Sequence, residues 1–222
     1  IDTYSVDYRD NARYFKATHF QPNSDSDYIG LMEDYLGANG HRIILDTDEL
    51  VSALFEAAAA RDLPGMADVD RSMLLLSRAP TKPSPVILSG ECADEIFGGY
   101  LYFHKAPDAR AFHEETVRKI GRLHQYDCLR ANKSLAAWGI EGRVPFLDTE
   151  FLDTAMRIAP EAKRPRNGRL EKWILRKAFE DLLPPALVWR QKERFSDGVG
   201  YGWIDSPKAL PEHPVSDPQN PP

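Results

Sequence analysis

The 222 residues include 28 basic and 34 acidic side chains, which give a formal net charge of −6, and 42% of them are hydrophobic. This composition is typical of a globular protein of one or two domains, and it excludes a fibrous, wholly disordered or disulfide-stapled chain. Two cysteines indicate a reducing compartment, so a cytoplasmic location is expected. The acidic balance and the lack of any apolar run of about 20 residues predict neither a nucleic-acid partner nor a membrane span.

The first half of the chain alternates predicted strands with predicted helices. Short apolar or alternating runs predict strands over 3–8, 42–46 and 85–89, the last of them buried. Helical spacing of apolar residues predicts helices over 28–36, ended by Gly37, and over 48–60 and 71–78, with a turn at 62–66. Such alternation is typical of an α/β fold in which helices flank a parallel sheet.

The second half has a different pattern. Helices are predicted over 113–138, 150–158 and 169–183, and strand signals vanish. Residues 206–222 include six prolines and few apolar side chains, which is typical of a disordered tail. We therefore expect one domain over 1–205, with a mainly helical second half, followed by a tail over 206–222.

The segment Leu-Ser-Gly-Glu-Cys-Ala-Asp-Glu-Ile-Phe-Gly-Gly-Tyr, residues 88–100, is the most informative. Ser89 and Gly90 follow a predicted strand, at the end where open α/β sheets bind ligands. Glu91 and Asp94 are one helical turn apart, and two such carboxylates suit magnesium held together with substrate phosphates. The alternative is that these acids cap the helix and favour its dipole.

Three later segments add to this one: Arg-Ala-Asn-Lys at 130–133, Glu-Gly-Arg-Val-Pro-Phe-Leu-Asp at 141–148 and Arg-Gln-Lys-Glu-Arg-Phe-Ser-Asp-Gly at 190–198. Together, and in this order, the four segments resemble the synthetase domain of glutamine-dependent asparagine synthetases. The resemblance extends from Tyr4 to about Asp205. It implies an ATP-pyrophosphatase domain, similar to the adenine nucleotide alpha hydrolases, that uses ATP and Mg²⁺ to adenylate the side-chain carboxylate of aspartate. Ammonia then displaces AMP to give asparagine.

The same resemblance implies a role for each site residue. Val6 would line the adenine pocket, and Ser89 and Gly90 would contact the nucleotide. Asp94 would bind magnesium at the pyrophosphate, which Lys192 would neutralise, and Glu91 would face the reacting carboxylate and assist the ammonia step. From the residues alone, Lys192 is equally a solvated loop charge. Asp127 and Arg130 are either cleft residues or an ion pair one turn apart.

The resemblance also implies parts that these residues do not include. An N-terminal glutaminase domain would supply ammonia from glutamine, and a Ser-Gly-Gly-x-Asp-Ser loop would wrap the phosphates. Adenylation by this polypeptide alone is therefore expected to be weak or absent. Two other functions stay open: a β-lactam-forming synthetase, against which Glu91 argues, and an inactive remnant or interaction module. A homodimer is left open as well.

Overall fold

In the computed structural model, the residues described are 1–9, 25–46, 76 and 86–192. Strand β1 (Asp2–Tyr8) pairs in parallel with β2 (Asn39–Leu45), and Val6 lies opposite Ile43. Helix α1 (Asp25–Leu36) lies between them in sequence, as a parallel pair requires a crossover. It ends at Gly37, whose φ of +58° favours glycine. The predicted strands and helix are confirmed, although β2 begins at Asn39 rather than at residue 42.

A second parallel pair joins the two halves of the chain. Strand β3 (Val86–Leu88) pairs with β4 (Glu141–Arg143), and Ile87 lies opposite Gly142. The prediction that the second half contains no strand was wrong, because β4 has only three residues, all exposed, and so shows no alternation. The prediction that β3 is buried was also wrong. Leu88 is 72% exposed, since one edge of β3 borders an open cavity.

Helices make up most of the remaining described chain, as predicted. They are α2 (Ala93–Phe97), α3 (Ala109–Arg122), α4 (Asp127–Ala136), α5 (Thr149–Arg157), α6 (Pro160–Lys163), α7 (Trp173–Ala178) and α8 (Pro185–Val188). Short 3₁₀ turns occur at Leu101–Lys105, Leu123–Gln125 and Pro145–Leu147.

Two predicted helices are shorter than expected. The helix predicted over 113–138 is broken at Tyr126, whose ψ of −104° lies far from helical values and separates α3 from α4. The helix predicted over 169–183 covers only α7, because Lys172 adopts a left-handed backbone with φ of +56° that a right-handed helix cannot include. Neither break has a proline or glycine at the point where the helical path is lost.

The hydrophobic core of this half lies directly behind α2. Its buried members come from α2 and its surroundings, the turn after α3, and α5: Cys92, Ile96, Phe97, Leu123 and Ala155. Phe97 packs edge-on against both Phe146 and Phe151. Apolar burial therefore fixes the helix that carries Asp94, the one residue of α2 that is not buried.

Several predictions lie outside the described residues. These are the helix over 48–60, the turn over 62–66, the tail over 206–222 and, apart from the helical Leu76, the helix over 71–78. None of the helices in the part of the chain that the structure describes is long and apolar enough to cross a membrane.

Candidate active site

Ser89 and Gly90 lie where β3 ends. The Ser89 amide donates a hydrogen bond to the Arg143 carbonyl at 2.9 Å, which extends the pairing of β3 with β4 by one residue. Both residues line a cavity of about 610 Å³, together with Ile1 and the first three residues of β1. Val6 is buried in β1 opposite Ile43 and is not among the lining residues. The structure thus brings Ser89 and Gly90 together at one cavity. Val6 lies further along β1 and does not line this cavity.

Asp94, in α2, is held between two lysines. Its Oδ1 lies 2.8 Å from the Lys172 Nζ, and its Oδ2 lies 3.3 Å from the Lys192 Nζ. Burial raises the pKa of the Asp94 carboxyl, but the two ammonium groups outweigh burial and lower the pKa below its ordinary value. Asp94 is therefore an ionised carboxylate in a half-buried site, and Lys192 is one of its partners.

Room for this carboxylate depends on a glycine. Gly98 ends α2 with φ of +65°, and its amide donates to the Asp94 carbonyl. A Cβ at the next residue, Gly99, would overlap the Asp94 carboxylate. The two glycines are therefore more than a helix terminus. No side chain caps the start of α2, where Cys92 has a left-handed backbone, so the alternative that these acids cap the helix is not supported. Asp94 does lie in the first turn, where an acid favours the helix dipole.

Glu91 has a different environment only three residues away. Its Oε1 lies 3.6 Å from Arg130 Nη2, and the same guanidinium group lies 2.9 Å from Asp127 Oδ1. Burial is the main influence on the Glu91 carboxyl and raises its pKa to about 7, although Arg130 acts in the opposite direction. The predicted ion pair of Asp127 and Arg130 is confirmed, and it also reaches Glu91. Glu91 is thus poised to exchange a proton near neutral pH.

Behind Glu91 lies a further buried carboxylate. Glu95, 2% exposed, accepts a hydrogen bond from the Tyr100 hydroxyl at 2.5 Å. Burial raises the pKa of the Glu95 carboxyl, and its proximity contributes to the raised pKa of Glu91. Glu95 is not among the site residues that the sequence predicts. Its burial follows from its position on the side of α2 that faces the core.

A second cavity, of about 430 Å³, borders the lysines of Asp94. Lys172 and Lys192 lie at its edge with Arg176 and Arg190, and the rest of its lining is mostly apolar, from α7 and the chain that follows it: Leu175, Phe179, Leu183, Leu187 and Val188. Two of these cations pair with Asp94, while Arg190 pairs with Asp25 and Arg176 donates to backbone carbonyls. Together they make this edge of the cavity cationic and able to attract a polyanion.

The residues present suit magnesium in one particular way. No group of three or more His, Cys, Asp or Glu side chains in the described ranges is arranged to hold a metal ion by itself. Asp94 nevertheless supplies ionised carboxylate oxygens, the hard donors that Mg²⁺ prefers, in a site rich in cations that attract phosphate. This donor set fits an ion bound by one carboxylate together with substrate phosphates.

The asparagine synthase family model matches residues 1–111 and 106–221 of the chain. The chain belongs to the asparagine synthase family. It is 51% identical over 193 residues to the glutamine-hydrolysing asparagine synthetase of Triphysaria versicolor, covering 83% of this chain and 33% of that protein. It is 50% identical over 189 residues to the glutamine-hydrolysing asparagine synthetase B of Escherichia coli K12, covering 84% and 34%. It is 53% identical over 184 residues to the glutamine-hydrolysing asparagine synthetase 3 of Arabidopsis thaliana, covering 79% and 32%. The chain spans about a third of the length of these curated relatives.

Sequence reasoning missed one residue of the candidate active site, Lys172. Lys172 contacts Asp94 more closely than Lys192 does, yet no motif drew attention to it. Its position follows from the left-handed backbone at the start of α7, which helical periodicity does not reveal. The only available signal was its place beside Glu171, a second charged residue in a segment predicted to be a continuous helix.

Proposed function

We propose that the protein containing this chain synthesises asparagine from aspartate, ATP and ammonia, the ammonia being derived from glutamine. A carboxylate oxygen of aspartate attacks the α-phosphorus of ATP, and the bond to the bridging oxygen of the leaving pyrophosphate breaks. The nitrogen of ammonia then attacks the acyl carbon, and AMP leaves together with the carboxylate oxygen that had attacked the α-phosphorus. The observation that supports this most strongly is Asp94, held ionised between Lys172 and Lys192 a few residues after Ser89, Gly90 and Glu91 in the chain.

The cationic edge of the site suits the first step. Charge builds up on pyrophosphate as it leaves, and fixed positive groups in a half-buried site stabilise that charge strongly. Lys192 and Lys172 provide two such groups. Asp94 is the residue we propose to hold Mg²⁺, which when bound would neutralise phosphate oxygens.

The nucleotide is proposed to bind where β3 ends. Ser89 and Gly90 line the 610 Å³ cavity, and the absence of a side chain on Gly90 lets a ligand approach the backbone. Val6 is proposed to border the adenine from β1. For Ser89 and Gly90, this placement follows the general rule that open parallel sheets bind ligands beyond the carboxyl ends of their strands.

Glu91 is proposed to act in the second step. Attack by ammonia requires that a proton leave nitrogen, and a carboxyl group with a pKa of about 7 is well matched to accept it near neutral pH. Arg130 lies close enough to orient Glu91 and to attract a substrate carboxylate.

Several wider features belong to the same proposal. We propose an ATP-pyrophosphatase-type domain over 1–205, a separate tail over 206–222, an N-terminal glutaminase domain as partner, and action in the cytoplasm. The relatives named above favour asparagine synthesis over β-lactam formation, because each is named as a glutamine-hydrolysing asparagine synthetase. The acidic Glu91 beside Arg130 supports the same choice.

The test is aspartate-dependent exchange of labelled pyrophosphate into ATP with magnesium, measured on the protein at its natural length and on residues 1–222 alone. Asp94→Asn should reduce the exchange at least tenfold, because it removes the charge between the two lysines. Asp153→Asn is the matched control, since Asp153 forms an exposed ion pair with Arg157 at 2.6 Å. Exchange that survives in Asp94→Asn would refute the role of Asp94, and no exchange in the unaltered protein would refute the proposed function.

A further inference from the structure

We propose that Arg176 and Glu171 are positioning residues that hold Lys172 and Lys192 against the Asp94 carboxylate. The importance of this arrangement for catalysis rests on the proposed function, but the arrangement itself can be tested without it.

The two lysines come from different segments and need an external constraint. Lys172 precedes α7, whereas Lys192 lies four residues beyond the end of α8. Each contacts a different oxygen of Asp94, so two like charges lie close together. Long lysine side chains are flexible, and their ammonium groups repel each other across one carboxylate. The backbone segments that carry them must therefore be fixed by other contacts.

Arg176 provides the first of these contacts. Its Nε donates to the Glu171 carbonyl at 2.7 Å, and its Nη1 donates to the carbonyls of Arg190, at 2.9 Å, and Val188. One guanidinium group thus joins the residue before Lys172 to two residues shortly before Lys192. The group is planar and its donors are fixed, which a lysine ammonium cannot reproduce.

Glu171 provides the second contact through its side chain. It is 1% exposed, although it is charged and lies outside the hydrophobic core. Its Oε1 lies 2.6 Å from His104 Nε2, and its Oε2 accepts a hydrogen bond from Gln191 Nε2 at 3.4 Å. Gln191 immediately precedes Lys192, so the carboxylate of Glu171 binds the second lysine segment while its own backbone leads into Lys172. A buried carboxylate is retained only where its partners compensate for lost hydration.

The backbone of Lys172 agrees with this interpretation. Its φ of +56° is unfavourable for a residue with a side chain, and such conformations persist only where the surroundings determine them. The surroundings here are Arg176, whose amide donates to the Lys172 carbonyl at 3.0 Å and whose side chain holds Glu171. The left-handed turn directs the Lys172 ammonium group to Asp94 rather than along the helix.

The decisive measurement is the rate at which acetic anhydride acetylates each lysine, followed by mass spectrometry with isotopic labelling. The variants are Arg176→Lys and Glu171→Gln in the protein at its natural length. Their matched controls are Arg166→Lys and Glu161→Gln, because Arg166 and Glu161 form a half-exposed pair at 2.8 Å. Lys119 belongs to α3, and its ammonium group lies over the Tyr100 ring. It serves as the internal reference.

We expect both variants to increase acetylation of Lys172 and Lys192 at least threefold relative to Lys119, and the controls to leave it unchanged. Equal rates in the variants and the unaltered protein would overturn the proposal. If Arg176→Lys accelerates every lysine, including Lys119, that variant has lost its fold. In that case Glu171→Gln and the milder His104→Gln decide the outcome. Each must increase acetylation of Lys172 and Lys192 at least threefold relative to Lys119, and unchanged rates would overturn the proposal.

Pyrophosphate exchange separates this inference from the proposed function. With both correct, Arg176→Lys and Glu171→Gln raise the KM for pyrophosphate at least tenfold and leave the KM for aspartate unchanged. If the unaltered protein catalyses no exchange but the two lysines are acetylated faster in the variants, the proposed function fails and the positioning role stands. Exchange with unchanged acetylation refutes the positioning role alone.

Discussion

Lys163 is a fully buried lysine whose ammonium group contacts a backbone carbonyl and a sulfur atom rather than a carboxylate, and it makes the stability of this domain depend on pH. Its Nζ donates to the Ala155 carbonyl near the end of α5 at 3.0 Å and lies 3.7 Å from the Met156 sulfur. Burial lowers the pKa of Lys163 from 10.5 to about 8. A protonated lysine at this position therefore opposes folding, and its neutral form does not.

The size of this effect follows from the two pKa values. A shift from 10.5 to about 8 corresponds to about 3 kcal/mol of differential stability between the charged and neutral forms. Between these values the unfolded chain binds more protons than the folded one, so the free energy of unfolding rises with pH. Between pH 7 and pH 9.5 the rise due to Lys163 is about 2 kcal/mol. Above about pH 10.5 both states are neutral and the contribution is constant.

The assay is urea unfolding of the unaltered protein and of Lys163→Met at pH 7 and pH 9.5, followed by far-ultraviolet circular dichroism. Methionine is similar in length and cannot be charged, so the difference in free energy of unfolding between the two proteins should change by about 2 kcal/mol over this range. Lys177→Met is the control, because Lys177 is exposed and pairs with Glu180. If the difference for Lys163→Met changes by less than about 0.5 kcal/mol, the pKa of Lys163 in the folded protein is close to that of an unburied lysine and the reasoning is wrong.

Three further predictions concern the site and its scaffold. The rate of ammonia-dependent asparagine synthesis should fall below about pH 7 as Glu91 becomes protonated. Glu91→Gln should be slower by roughly 100-fold and should lose the part of the pH dependence that is due to Glu91. Asparagine formation measured from about pH 6 to 8.5 tests both. Gly99→Ala should displace the Asp94 carboxylate and destabilise the fold by about 1–3 kcal/mol, whereas Gly121→Ala, with open space around it, should not, as chemical denaturation will measure. Asp148→Ala should lower the free energy of unfolding by about 1 kcal/mol, because the Asp148 carboxylate accepts two amide hydrogen bonds at the start of α5; an unchanged urea midpoint would contradict this.

The elements that the sequence predicted well are those with a local cause. β1 and β2 are stretches of β-favouring residues, and α1 ends where Gly37 supplies a left-handed backbone. The segment 88–100 was predicted to run from a strand through a turn into a helix, and it does so, because Ser89 and Gly90 separate apolar runs of different period. These features depend on neighbours within a few residues, which a single sequence contains.

The features that sequence reasoning missed depend on distant partners. β4 is recognisable only through its pairing with β3, more than 50 residues earlier, because Glu141–Arg143 has no strand pattern of its own. The contact between Lys172 and Asp94 spans a still larger separation in sequence. The burial of Lys163 could not be expected from residue type, since lysine is among the side chains least often buried. In each case tertiary contacts determine what local propensity leaves open.

The environments of Asp94 and Glu91 argue for a division of labour between two carboxylates only three residues apart. Both are removed from water, and burial alone would raise the pKa of each. Asp94 is paired with two lysines and stays ionised, whereas Glu91 has one more distant arginine, shared with Asp127, and titrates near pH 7. Where neighbouring groups have pKa values driven apart, the one with the low value holds charge and the one near neutrality exchanges protons. In the proposed reaction, one turn of chain from Glu91 to Asp94 at the start of α2 thus serves both the departure of pyrophosphate and the entry of ammonia.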